Sequence, residues 1–116
     1  YRRVLFTAKH SQLVLMNLKP GEEIGEEVHG MDQFIRFEEG EGTVVLDGEK
    51  HAVSDGFAVV IPAGTRHNVV NSGKTAALKL YSLYSPPEHK DGIIHKTKQE
   101  ADADHDHHFD GRTSMK

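Results

Sequence analysis

The chain contains no cysteine. That excludes a disulfide framework, a thiolate nucleophile and any Cys-based zinc site. No apolar run approaches the length of a membrane span, and no signal peptide is visible, so no membrane is expected as a partner. The first residue is Tyr1, not Met, which leaves room for a leader removed by processing or trimming. There is no basic cluster, and Asp plus Glu outnumber Lys plus Arg by 18 to 14, so nucleic acid is not expected either. Also missing are a Ser-His-Asp arrangement, a phosphate-cradling glycine loop and a nucleotide fingerprint, which removes support for nucleophilic and nucleotide-dependent chemistry. A cytoplasmic protein fits these absences.

What the 116 residues do contain is a rhythm of short apolar runs broken by Gly, Pro, Asp and Ser. Strands are expected at 3–7, 13–18, 33–37, 43–46, 49–53, 57–61, 67–71 and 77–84, the pattern of an antiparallel sandwich or barrel. Asp47-Gly48 predicts a tight hairpin of type I′. The barrel is expected to span residues 1–85, and 86–116 to pack on it or trail from it. Pro86 and Pro87 exclude a central strand there. Thr97 to Glu100 forms a capping box that predicts a short helix through about Asp104. From His105 onward the polar composition predicts fraying or disorder.

Two glycine-anchored stretches carry the functional signal. The first runs Gly21-x5-Glu27-x-His29-x3-Gln33-x6-Gly40, the second Gly56-x5-Pro62-x-Gly64-x2-His67-x3-Asn71. Glu27, His29 and Gln33 have the same parity, so a regular strand would show them on one face, with His67 added from a neighbouring strand. Two imidazoles and a carboxylate suit a divalent first-row metal, and Gln33 offers a further carbonyl oxygen. Glu26 would be the alternative carboxylate if the strand were bulged. Tyr81 and Tyr84 have opposite parity on the last strand, so only one can face a pocket, where it would orient a substrate oxygen or pack in the core. Met16 is a candidate for an apolar pocket wall. His89 and His95 read as a solvated loop, with a lid over the barrel mouth as the alternative. His105, His107 and His108 read as part of a flexible tail.

Both stretches resemble the two motifs of the cupin family, and the segment between them, 41–55, is as short as that family allows. The resemblance implies an all-β, double-stranded β-helix (jelly-roll) barrel with a metal near its centre, often assembled as a homodimer. The family's usual ligands are His, His and Glu in the first motif and His in the second. Here Glu27 stands at the first His position and Gln33 at the Glu position, so one carboxylate and two imidazoles are retained. The implied cofactor is one divalent ion, Mn, Fe, Co, Ni or Zn. Tyr84-Ser85-Pro86-Pro87-Glu88-His89 adds a resemblance to small bacterial cupins labelled mannose-6-phosphate-isomerase-like. The expected activity is metal-dependent, isomerase-like chemistry on a small polar metabolite. A metal-dependent dioxygenase and a non-catalytic sugar-binding or sensor barrel are the alternatives.

Overall fold

The structure is a computed structural model that describes residues 1–114. Nine strands and one short helix follow in order: β1 (Arg2–Thr7), β2 (Gln12–Leu18), β3 (Asp32–Glu39), β4 (Gly42–Leu46), β5 (Glu49–Val53), β6 (Ala58–Ile61), β7 (His67–Val70), β8 (Leu78–Ser85), β9 (Ile94–His95) and α1 (Lys98–Ala103). They form two antiparallel sheets, ordered β6-β3-β8-β2-β1-β9 and β5-β4-β7, which is the expected jelly-roll. Expected and observed strand ends differ by at most two residues. The Asp47-Gly48 turn has positive φ at both positions, 48° and 84°, as a type I′ turn requires. No described helix is long and apolar enough to cross a membrane.

Alternation decides what is buried. On β2, Gln12, Val14, Met16 and Leu18 face inward; on β8, Leu78, Leu80, Ser82 and Tyr84 do. Ile35 and Phe37 of β3 and Val44 and Val69 of the smaller sheet complete the core between the layers. The outer face of the larger sheet is unusually apolar. Register aligns Val60, Phe34, Leu83, Leu13 and Phe6 in one row across five strands, and Val60, Leu83 and Phe6 are exposed.

Two expectations need correction. Glu27, His29 and Gln33 do not share a regular strand. Residues 19–31 form no regular strand: their pairing with the smaller sheet is confined to isolated bridges at Glu23 and Glu27, and β3 begins after a bend at Gly30 and Met31. The second concerns the tail, which folds back over the barrel. Lys90 N–H donates to the His107 carbonyl (2.7 Å) and Phe109 N–H to the Glu88 carbonyl (2.8 Å). Further on, Ser114 N–H reaches the Thr7 carbonyl (2.8 Å). Composition gave no sign of this, because ordering here comes from backbone pairing and not from apolar burial. Met115 and Lys116, also covered by the expected disorder, lie outside the described residues. The capping box behaves as read: Glu100 N–H donates to Thr97 Oγ1 at 3.0 Å.

Asn71, the last residue of the second motif, is fully buried. Its Nδ2 donates to the carbonyls of Leu18 and Ala76, both at 3.0 Å, and its Oδ1 accepts from Gly73 N–H at 2.9 Å. It therefore ties three chain segments together where no backbone group is available. Asn71→Ala would strand the buried Leu18 carbonyl and remove the partners of the part-buried Ala76 carbonyl and Gly73 N–H, and is expected to cost about 1–3 kcal/mol. A denaturant titration checks this; a loss below about 0.5 kcal/mol would contradict the role.

Candidate functional site

Backbone pairing brings the two stretches together. Glu27 N–H donates to the His67 carbonyl at 2.8 Å, and His67 N–H returns to the Glu27 carbonyl at 2.9 Å. Just beyond, Gly64 N–H donates to the His29 carbonyl at 2.8 Å. Gly64 can do so because the Pro62–Thr65 turn closes with Thr65 N–H on the Pro62 carbonyl (3.1 Å) and φ of +84° at Gly64, a turn geometry that favours glycine.

The side chains converge on His29. Its Nε2 lies 3.3 Å from Glu27 Oε2, and its Nδ1 lies 3.4 Å from Glu88 Oε2. The His67 ring centroid is 5.1 Å away and that of Tyr84 6.0 Å. His67 Nδ1 sits 2.9 Å from the Thr65 carbonyl. A carbonyl only accepts, so this nitrogen carries a proton, and in the neutral ring Nε2 keeps a free lone pair. Gln33 is buried, and its Nε2 donates to Ser82 Oγ (3.1 Å) and Tyr84 Oη (3.3 Å). Its Oε1 is buried with no partner, an acceptor left free on the interior side.

Burial sets the protonation of this group. It raises the Glu27 carboxyl, against the opposing charge of Arg2 and His67. It lowers His29 despite the nearby Glu88, and it keeps the Tyr84 hydroxyl protonated. The site thus favours neutral groups. With the neutral ring's proton on Nδ1, 3.4 Å from Glu88 Oε2, the Nε2 lone pair of His29 would face a Glu27 oxygen. Only a proton or a cation between them relieves that contact.

The C-terminal loop supplies the other wall, which sequence reasoning missed. Gln12 holds it: Nε2 donates to the His89 carbonyl (2.7 Å), and Oε1 accepts from the N–H groups of Glu88 (3.3 Å) and His89 (3.0 Å). Glu88 is 6% exposed and takes a second contact from His108 Nδ1 at 3.0 Å. The only available signal was that Glu88 lies four residues after Tyr84, in the stretch already noted for its resemblance. His89 and His95, read as a solvated loop, are 2% and 4% exposed. Gln12 buries the first, and β9, pairing with β1, buries the second. A cleft of about 280 Å³ between the barrel and the tail is lined by Arg2, Glu27, Asp104, His107 and His108, among others; of the four expected ligands only Glu27 lines it. A larger groove of about 640 Å³ touches His67 but is otherwise bordered by outward groups such as Glu26, Val28 and Arg66.

Of the remaining expected residues, Tyr84 faces inward and is 4% exposed. Tyr81 is on the outer face, opposite Leu15 and Arg36, because its parity points it away from the barrel; it cannot reach the interior. Met16 is core, between Leu80 and Arg2 in the cross-strand row. Glu26 points outward into an ion pair with Arg66 at 2.9 Å. Among the described residues, no group of three or more His, Asp or Glu side chains is arranged to hold a metal ion as it stands.

A family model described as "Cupin domain" matches residues 14–84. The chain is 48% identical over 113 residues to the uncharacterized protein YrkC of Bacillus subtilis, covering 91% of this chain and 60% of that protein. The chain thus spans about three fifths of that relative's length. The crystal structure of BH2720 from Bacillus halodurans superposes with a TM-score of 0.86 at 46% identity, over 90% of this chain and 83% of that one. KdgF from Halomonas sp. gives 0.68 at 27% identity, over 73% and 76%.

The buried imidazoles make stability depend on pH. Burial, Arg2 and the neighbouring imidazoles hold His89 far below the usual imidazole range. In the unfolded chain it titrates near about 6.5, so below that pH the unfolded state binds the extra proton. Its contribution is complete above about pH 6.5 and falls by roughly 1.4 kcal/mol per unit as pH drops toward the depressed folded value. Glu27, raised by burial, acts in the opposite sense, so the parent is compared with His89→Gln. Urea midpoints measured from pH 7.5 to 5.5 are expected to fall less steeply in the variant; parallel curves would show that His89 is not buried neutral.

Proposed function

This chain belongs to the cupin domain family, and on that premise we propose that it holds one divalent metal ion through Glu27, His29, Gln33 and His67 and acts on a small polar metabolite. The observation that supports this most is the buried, unpartnered Gln33 Oε1. Together with the free Nε2 of His67 and the His29 Nε2 that faces Glu27, it makes a set of donors lacking an acceptor. Metal ligation by imidazole requires one nitrogen free and the other tied to an outer partner. Thr65 and Glu88 are those partners for His67 and His29. Closing the set to ligand distance requires the side chains to rearrange.

When bound, such an ion supplies Lewis-acid polarisation of a substrate oxygen. The chain's own groups do the rest. Tyr84, kept protonated by burial and anchored through Gln33, donates toward the interior. Glu88 fixes the His29 ring. The returning tail, through Glu88, His107 and His108, restricts water at the cleft. Polarisation beside a protonated hydroxyl suits isomerase-like proton transfer at a carbonyl-type substrate.

Elemental analysis of protein purified without an affinity tag is expected to find about one first-row ion per chain. Glu27→Ala and His67→Ala should lose most of it. Glu88→Gln, which leaves the ligands in place, should weaken affinity by roughly tenfold or more. Metal content unchanged in all three would sink the site. Isomerisation assays on small carbonyl compounds, run beside oxygen-consumption measurements, then separate the reaction types.

The outer face of the larger sheet supports a second part of the reading, a homodimer. The row Val60, Phe34, Leu83, Leu13, Phe6 is centred on Leu83 of β8. A two-fold axis there would lay apolar groups on apolar groups, as an isologous interface requires. Sedimentation is expected to show a dimer that Leu83→Glu converts to monomer without loss of fold; a monomeric parent would dismiss this face as an interface.

A further inference from the structure

Arg2 is a buried cation without an anion. It is 8% exposed, and among the described residues no carboxylate lies within ion-pair distance of it. Its one hydrogen bond goes from Nη1 to His95 Nδ1 at 3.4 Å, and its Nε is buried with no partner. A guanidinium cannot shed its charge in a protein, so unlike His89 it cannot escape burial by becoming neutral. Two weak compensations exist. His95 passes part of the charge to Asp104, 2.9 Å from its Nε2, and the Tyr1 ring lies 5.4 Å from the guanidinium carbon. Neither supplies the planar pair of oxygens that the fork is shaped to accept.

The position of Arg2 gives that unmet demand a place. Register sets it in an inward row with Leu80, Met16 and His95, so the packed Met16 holds its stem. The guanidinium end lines the same cleft as Glu27, His107 and His108. After burial itself, its charge is among the influences on Glu27, His29, Tyr84, His89 and His107.

We infer that Arg2 is the anion-binding residue of this cleft, and that the ligand is a small organic acid held by its carboxylate. This deepens the function proposed above and rests on its reading that the chain acts on a small polar metabolite. A carboxylate is favoured over a phosphate by the lining. Arg2 is the one Lys or Arg side chain there, while Glu27, Asp102 and Asp104 are acidic. One fork satisfies one carboxylate, whereas a dianion would meet repulsion with no second cation. The volume, about 280 Å³, suits a ligand of few heavy atoms.

The test uses the full, metal-supplemented chain with acetate, pyruvate, lactate and inorganic phosphate as probes, and methyl pyruvate as the uncharged counterpart. In nitrogen-15 spectra, the Arg2 Nε–H resonance should shift saturably with at least one carboxylate and not with phosphate or the ester. Calorimetry should show that carboxylate weakened about tenfold in Arg2→Lys, which keeps the charge but loses the fork, and more in Arg2→Gln. No shift with any of the three acids, retention of affinity within twofold in Arg2→Gln, or phosphate binding more tightly than every acid would each overturn the inference. Metal content separates this from the function it builds on. A carboxylate-dependent Arg2 shift in protein that takes up no metal leaves the anion site standing and removes the metal. Bound metal with no shift does the reverse.

Discussion

Two backbone hydrogen bonds between Glu27 and His67 hold the rest of the site in register. They are an isolated bridge and not part of a long ladder. Yet they decide which side chains from two distant stretches of chain face the interior together. In extended backbone, a slip of one residue reverses every side chain. Here it would put Glu26, Val28 and Arg66 inside and send Glu27, His29 and His67 out. The Gly64 contact to the His29 carbonyl removes that freedom by pinning the register from its other end.

Around this bridge the barrel carries an inward polar band that an apolar core would not need. Thr7, Gln12, Gln33 and Ser82 are all nearly inaccessible. Three of the four form a single cross-strand row with Tyr84, running Gln33, Tyr84, Gln12, Thr7. Burying such groups is costly unless each finds a partner, and most do. Gln12 uses both ends of its amide to seat the Glu88-His89 backbone. Of the four buried polar atoms left without a partner among the described residues, Gln33 Oε1, Arg2 Nε and His89 Nε2 lie in or beside the candidate site, and Arg36 Nε lies on the outer side of β3, opposite Tyr81.

Much of this was readable from the chain. Strand positions came through because β2 and β8 alternate strictly and the turns between strands carry Asp-Gly and Pro-Ala-Gly. The pairing of the two glycine-anchored stretches followed from motif spacing. The tail was not readable. Residues 86–114 are polar and rich in His and Asp, a composition that signals solvation when nothing opposes it. They are ordered by contacts more than 70 positions away in sequence, such as Gln12 with His89 and Ser114 with Thr7. Nothing in the local pattern encodes such contacts. Glu88 and Arg2 escaped notice for the same reason, being ordinary charged residues until the fold buries them.

The sequence alone determined the periodicity of the strands, the two motif stretches and the identity of the donors they carry. These depend on local chemistry: side-chain alternation, turn propensity and the ligating power of imidazole and carboxylate. Tertiary structure alone decided which Tyr faces inward, that the tail closes over the barrel, and that His29 lies between two carboxylates. It also left Arg2 without a counter-ion. Burial and long-range pairing settle those points, because the charge state and the partners of a group depend on what the folded chain packs around it.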